Sequence, residues 1–203
     1  MNKLKSIKSI LVTNTRSYTD SNSVAADLAQ MIAQTGKQVL LVDADFHQPI
    51  LHQIYQLPNR IGFSDVLAGK RPASEIIHFN PDLHLSIIPS GRKPTAGFEP
   101  GFQKRLNEFL QEQKSCFDKV IIHGPPFFYD ETASLAGGVD GVILLIHPGY
   151  AKSETSKAII EKIQRSGATI IGVVMRNQPK HPLNQTAFID RLLSYDKGVR
   201  LIP

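Results

Sequence analysis

Short runs of β-branched and aliphatic residues recur along this chain, apolar at almost every position. Stretches with helical spacing stand between several of them. SILVT (9–13), QVLLVDAD (38–45), LHLSIIP (83–89), DKVIIHG (118–124), GVILLIH (141–147) and ATIIGVVM (168–175) read as strands, and VRLI (199–202) as a short closing strand. SVAADLAQMIAQ (23–34), stopped by Gly36, FQKRLNEFLQEQ (102–113) and SETSKAIIEKIQRSG (153–167) read as helices. A strand that is apolar on both sides has both faces buried. Such strands alternating with amphipathic helices predict an α/β fold in three layers, a mostly parallel central sheet with helices on both faces. The region 49–80 is less regular and reads as short helices, and SGRKPTAGFEPG (90–101) reads as a loop. No linker divides the chain, so residues 1–203 are expected to form a single domain.

Hydrophobic residues make up 41% and charged residues 20%, enough apolar material for a sizeable core and too much for a disordered chain. Lysine and arginine exceed aspartate and glutamate by 23 to 18, a net charge of +5. The basic residues are scattered rather than gathered in a stripe, so no nucleic-acid partner is expected; a module that binds DNA nonspecifically through basic residues is the rival reading. Cys116 is the only cysteine, which excludes an internal disulfide and favours a reducing, cytoplasmic setting. Placed just before Phe117 and the VIIH run, it is expected to be buried and inert. The basic start MNKLKSIKSILVTN has too short an apolar part for a secretory signal, and GVILLIHPG is far too short to cross a bilayer. Any work at a membrane would require recruitment by something else.

In a parallel α/β sheet, ligands sit beyond the carboxyl ends of the strands, so the residues there are the ones to read. They are Asn14–Ser23, Asp43–Pro49, His123–Pro126 and Arg176–Asn177. The stretch VLLVDADFHQPILHQIYQLPNRIGFSDVLAG resembles the second aspartate motif and following segment of the bacterial tyrosine autokinases of capsule and exopolysaccharide synthesis, a P-loop NTPase-like family of the MinD/ParA type. FDKVIIHGPP is similar to their Walker B strand and paired prolines. GVDGVILLIHPGYAKSETSKAIIEKIQRSGATIIGVV resembles their closing strand–helix–strand. The resemblance runs from Ser9 to Arg176. It implies a P-loop NTPase-like fold, ATP and magnesium as cofactors in active members, and face-to-face dimers.

The departures fall on the chemistry. An active phosphate loop needs G-x-x-x-x-G-K-[ST], so that backbone amides close around the phosphates, lysine neutralises charge and the hydroxyl holds magnesium. Aligned on the flanking strand and helix, this chain has Thr15 at the first glycine, Asp20 at the second, Ser21 at the lysine and Asn22 at the hydroxyl, followed by Ser23. Asp20, Ser21, Asn22 and Ser23 are all good N-cap types, so the helix start is expected to satisfy its own amides and leave no cradle for a triphosphate. The alternative is a displaced loop in which Arg16 supplies the missing charge. Asp43 and Asp45 match the paired aspartates that, in the family, help bind magnesium and activate the attacking hydroxyl; otherwise they serve only to cap the strand end. His47 and Gln48 replace the arginine region that follows. His123 stands at the Walker B aspartate, where imidazole is a poor magnesium ligand. Gly124 replaces a threonine, and Thr132 lies where a later aspartate falls, beside Asp130 and Glu131. Arg176 stands at the adenine-reading asparagine, with Asn177 one place late. Asp43, Asp45, His47 and His123 together are chemically suited to a transition metal such as zinc. The tail offers only Tyr195 where the family carries a tyrosine cluster.

Taken together, the resemblance and its departures imply a catalytically silent autokinase-like protein that regulates or scaffolds polysaccharide assembly. Its expected partners are a membrane chain-length protein or an active autokinase, or a second copy of itself, and no cofactor is expected. The rival is an active ATP- and magnesium-dependent kinase or ATPase using Arg16, Asp43 and Asp45.

Overall fold

Every residue of the five central strands β1 (Ser9–Asn14), β2 (Val39–Asp43), β4 (Leu85–Ile88), β5 (Lys119–His123) and β6 (Gly141–Ile146) is buried, which only a sheet covered on both sides allows. The computed structural model describes residues 7–15, 24–94, 101–146 and 154–175. With β3 (His78–Asn80) and β7 (Ile170–Met175), these strands form one seven-stranded sheet in the order β3-β4-β2-β5-β1-β6-β7. All neighbours are parallel except β3, which runs antiparallel to β4 at one edge. This is the α/β architecture expected from the sequence.

The period-two alternation of the strands sorts their side chains into two cores. On one face Leu40, Val42, Val120, Ile122 and Leu144 pack with residues of α3 (Phe63–Leu67), α4 (Phe102–Cys116), α5 (Asp130–Gly138) and α6 (Glu154–Arg165). On the other face Ile10, Val12, Leu41, Ile121 and Ile143 pack against α1 (Val24–Ala33) and Leu51 of α2 (Leu51–Ile54). The α1 contact is made largely by Ala25, Ala26, Ala29 and Ala33, whose small side chains let the helix lie close to the strands. Gly36, with φ of 82°, takes the left-handed conformation that stops this helix.

The elements expected from the sequence are present over the described residues. VRLI, His147-Pro148 and Tyr195 lie outside them. Two elements had no clear signal. β3 is three residues long, with polar His78 and Asn80 around an exposed Phe79, so it carries no apolar pattern. α5 ends on Gly137-Gly138 and is only weakly amphipathic. Cys116 corrects an expectation: it is exposed, at the last residue of α4, where the helix ends.

The short-helix region docks on the carboxyl end of β4 by direct backbone contact. Phe63 and Ser64 donate their amides to the carbonyls of Pro89 (2.8 Å) and Ser90 (2.9 Å). The Asn59 side-chain oxygen accepts from the Gly91 amide at 2.8 Å and the Ser90 hydroxyl at 3.1 Å. A Cβ on Gly62 would sit 2.2 Å from the Gly91 nitrogen and 2.3 Å from the Pro89 oxygen, both backbone atoms that cannot swing aside. Gly62→Ala should therefore lower stability by about 3 kcal/mol or more, as overpacking of a rigid contact does. A urea melt with an unchanged midpoint would contradict this account of the docking.

Candidate functional site

β2 and β5 are neighbours in register, and their last residues, Asp43 and His123, are paired across the ladder. The two side chains meet: His123 Nδ1 lies 3.1 Å from Asp43 Oδ1, with the carboxylate fully buried and the histidine nearly so. Asp43 is also the anchor of the chain that follows it. Its Oδ1 accepts the Asp45 amide at 3.1 Å, and its Oδ2 accepts the amides of Ile50 at 2.9 Å and Leu51 at 3.0 Å. Asp45 repeats the device one step on, its Oδ1 accepting the amides of His47 at 3.0 Å and Gln48 at 2.9 Å. The strand therefore ends at Asp43 because these two carboxylates fold residues 44–51 into a turn that leads into α2.

Burial alone would lower the pKa of His123. The hydrogen bond to Asp43 and the charges of Asp43 and Asp45 outweigh it, and the net shift is upward. A histidine thus faces the aspartate pair where the resemblance leads one to expect a third carboxylate.

His47 turns away from that pair. Its Nε2 is 2.5 Å from Glu131 Oε1, its ring stacks on Tyr129 with centroids 3.7 Å apart and planes 14° apart, and its Nδ1 is 3.3 Å from Lys93 Nζ. The Lys93 ammonium can only donate, so Nδ1 accepts and the proton sits on Nε2, pointing at Glu131. Glu131, Tyr129 and Lys93 were missed as a group by sequence reasoning. The one available signal was that Asp130 and Glu131 flank the aspartate position now held by Thr132. Thr132 is fully buried, and its hydroxyl donates to the Pro126 carbonyl at 3.0 Å. The Thr13 hydroxyl donates to the Pro125 carbonyl at 2.6 Å, so the paired prolines are held from both β1 and α5.

The four residues offered as a metal set, Asp43, Asp45, His47 and His123, are engaged with partners inside the chain. His47 is committed to Glu131, His123 is committed to Asp43, and the carboxylate oxygens of Asp43 are taken by the chain's own amides. Among the described residues no group of three histidines, cysteines or carboxylates is placed to hold a metal ion. Magnesium does not fit here either, since it requires free, hard oxygen ligands in a near-octahedral set. Thr15 extends β1, its amide donating to the Leu145 carbonyl at 3.2 Å. Arg16, Asp20, Ser21, Asn22, Ser23 and Arg176 lie outside the described residues, and so does the helix start at which self-capping is expected.

Searches among known proteins agree with the strand-end motifs. No protein-family model matches the chain. Tyrosine-protein kinase YwqD of Bacillus subtilis (strain 168) is 29% identical over 175 residues, covering 86% of this chain and 74% of that protein. A putative tyrosine-protein kinase in the cps region of Klebsiella pneumoniae is 29% identical over 165 residues, 80% of this chain but only 23% of the relative's length. The chain is a homologue of the bacterial tyrosine-protein kinases. Among solved structures the chimerical protein CapA2B2 superposes with a TM-score of 0.74 at 25% identity, covering 86% of this chain and 77% of that one. The septum site-determining protein MinD of Pyrococcus horikoshii, complexed with Mg-ADP, superposes with a TM-score of 0.71 at 19% identity over 90% of this chain and 76% of that one, which shows a shared fold.

The raised pKa of His123 has a consequence for this kinase homologue's stability. The folded protein holds the proton more tightly than the unfolded chain. The resulting stabilisation is fully present below the ordinary histidine value of about 6.5 and is lost as pH rises through the elevated folded value. Urea denaturation across that window should show stability falling with pH, and His123→Gln should flatten the slope. An equal slope in the variant would remove His123 from this role.

Proposed function

We propose that this chain is a catalytically inactive relative of the tyrosine autokinases, a pseudokinase that regulates or scaffolds capsule or exopolysaccharide synthesis. The observation that carries the reading is the state of Asp43. In an active enzyme of this class that carboxylate has to be open to a metal and to the attacking hydroxyl. Here its oxygens accept three backbone amides and face His123. The sequence supports the same conclusion, with Asp20 and Ser21 in place of the second glycine and lysine of the phosphate loop and Arg176 in place of the adenine-reading asparagine. Phosphoryl transfer depends on positioning and charge neutralisation, and single electrostatic donors contribute about 3 kcal/mol each. Losing a lysine and a metal ligand together removes most of that stabilisation.

In this reading the whole chain acts as one domain with a degenerate nucleotide site, and what it retains is a rigid surface. Its partners are a membrane chain-length regulator or an active autokinase, with a second copy of itself as a further possibility. It works in the cytoplasm, and a partner brings it to the inner face of the membrane. No helix among the described residues is long and apolar enough to cross a bilayer.

Isothermal titration of the purified chain with ATP and ADP, each with and without magnesium, should show no magnesium-enhanced heat, and incubation with labelled ATP should leave the protein unlabelled. Micromolar, magnesium-dependent binding would establish the active-enzyme alternative instead. Stability separates the two readings independently. Asp43→Ala should cost about 3 kcal/mol or more, because it strands three backbone amides, two of them buried, and the buried His123 ring. A carboxylate kept only for catalysis would be neutral or favourable to remove.

A further inference from the structure

The opposite edge of the sheet, at the amino ends of the strands, holds a concavity of about 540 Å³ between the carboxyl ends of α4, α5 and α6. That volume is within the range of small-molecule sites. One stripe of α4, Asn107, Leu110, Gln111 and Lys114, forms a wall at helical spacing. Asp140 faces it, and Gly137, Gly138 and Gly167 leave backbone exposed to whatever enters. Ile7, Leu110 and Val139 supply an aliphatic floor.

The charges in this wall are already answered. Asp140 Oδ1 accepts Lys114 Nζ at 2.9 Å. Its Oδ2 accepts the Lys8 amide at 3.0 Å and the Ser9 amide and hydroxyl at 2.9 and 3.0 Å. Burial alone would raise its pKa, but the Lys114 contact and the Ser9 and Lys8 amides hold it below the ordinary value, so it stays ionised and paired. A further cation would have to displace or crowd Lys114, which already pairs with Asp140. An anion meets the negative ends of three helix dipoles and would have to pull Lys114 from Asp140. What remains unanswered is neutral. The Asn107 N–H groups, the Gln111 amide and the Thr169 hydroxyl have no protein partner among the described residues.

Neutral donors and acceptors around a small aliphatic floor match one class of ligand, a polyhydroxylated ring with an apolar C–H face. We propose that this cavity is a binding site for a neutral saccharide of one or two rings. It is separate from the carboxyl-edge site and does not depend on the function proposed above: nucleotide binding and sugar binding succeed or fail independently.

The test is an amide-detected NMR titration of the whole isotope-labelled chain with N-acetylglucosamine, glucose and sucrose, using glucuronate and ATP as charged comparisons. The expected result is saturable shifts at Gly137, Gly138, Gly167 and the Gln111 side-chain amide with a neutral sugar, and weaker or no shifts there with the charged ligands. Asn107 and Gln111 are exposed, so the double variant Asn107→Ala/Gln111→Ala should keep its melting temperature and weaken the sugar about tenfold. Signals unmoved by all three neutral sugars, equal or larger shifts with glucuronate or ATP, or unchanged affinity in the double variant would each overturn the proposal.

Discussion

A carboxylate has a small number of lone pairs, and the whole carboxyl edge of this protein is organised by how those of Asp43 are used. They hold the amides of Asp45, Ile50 and Leu51 and face the Nδ1 of His123. Three of those partners belong to the turn that leaves β2, and the fourth belongs to the strand beside it. Asp43 therefore links strand pairing, turn geometry and the start of α2. Freeing that carboxylate for another partner would loosen the turn.

His123 completes the exchange. A carboxylate at its position would put three negative charges at adjacent strand ends, an arrangement that requires a bound cation. The imidazole instead sits beside Asp43, and the charges of Asp43 and Asp45 favour its protonated form. Bonds to the chain's own amides hold Asp43 and Asp45 in place without any bound ion.

Much of the fold was legible because it rests on the coarsest signal a sequence carries. Leu40, Leu41 and Val42, or Val120, Ile121 and Ile122, are apolar on both sides, and only a covered parallel sheet accommodates them. β3 and α5 were not legible, since the first is held by pairing to β4 and the second by packing of Leu135 and Ala136 into a core formed by other segments. In the site, the sequence identified Asp43, Asp45, His47 and His123 as neighbours of interest and offered the capping of the strand end as one of two readings. It could not show that His47 turns to Glu131, because that pairing spans 84 residues and depends on how α5 is set on the sheet. Cys116 was misread because an apolar neighbourhood along the chain does not bury the last residue of a helix.

The two edges of the sheet differ electrically, because every strand but β3 runs the same way and the helices between parallel strands return antiparallel to them. Helix amino ends gather at the carboxyl edge, where they favour anions, and helix carboxyl ends gather at the opposite edge, where they disfavour them. At the carboxyl edge this chain places Asp43 and Asp45, so buried protein carboxylates occupy the side of the molecule that favours negative charge. At the other edge Lys114 pairs with Asp140. The polarity imposed by the topology is thus largely answered from within the chain at both ends. Ligand selectivity at either edge then rests on the residual hydrogen-bonding groups rather than on the field of the fold.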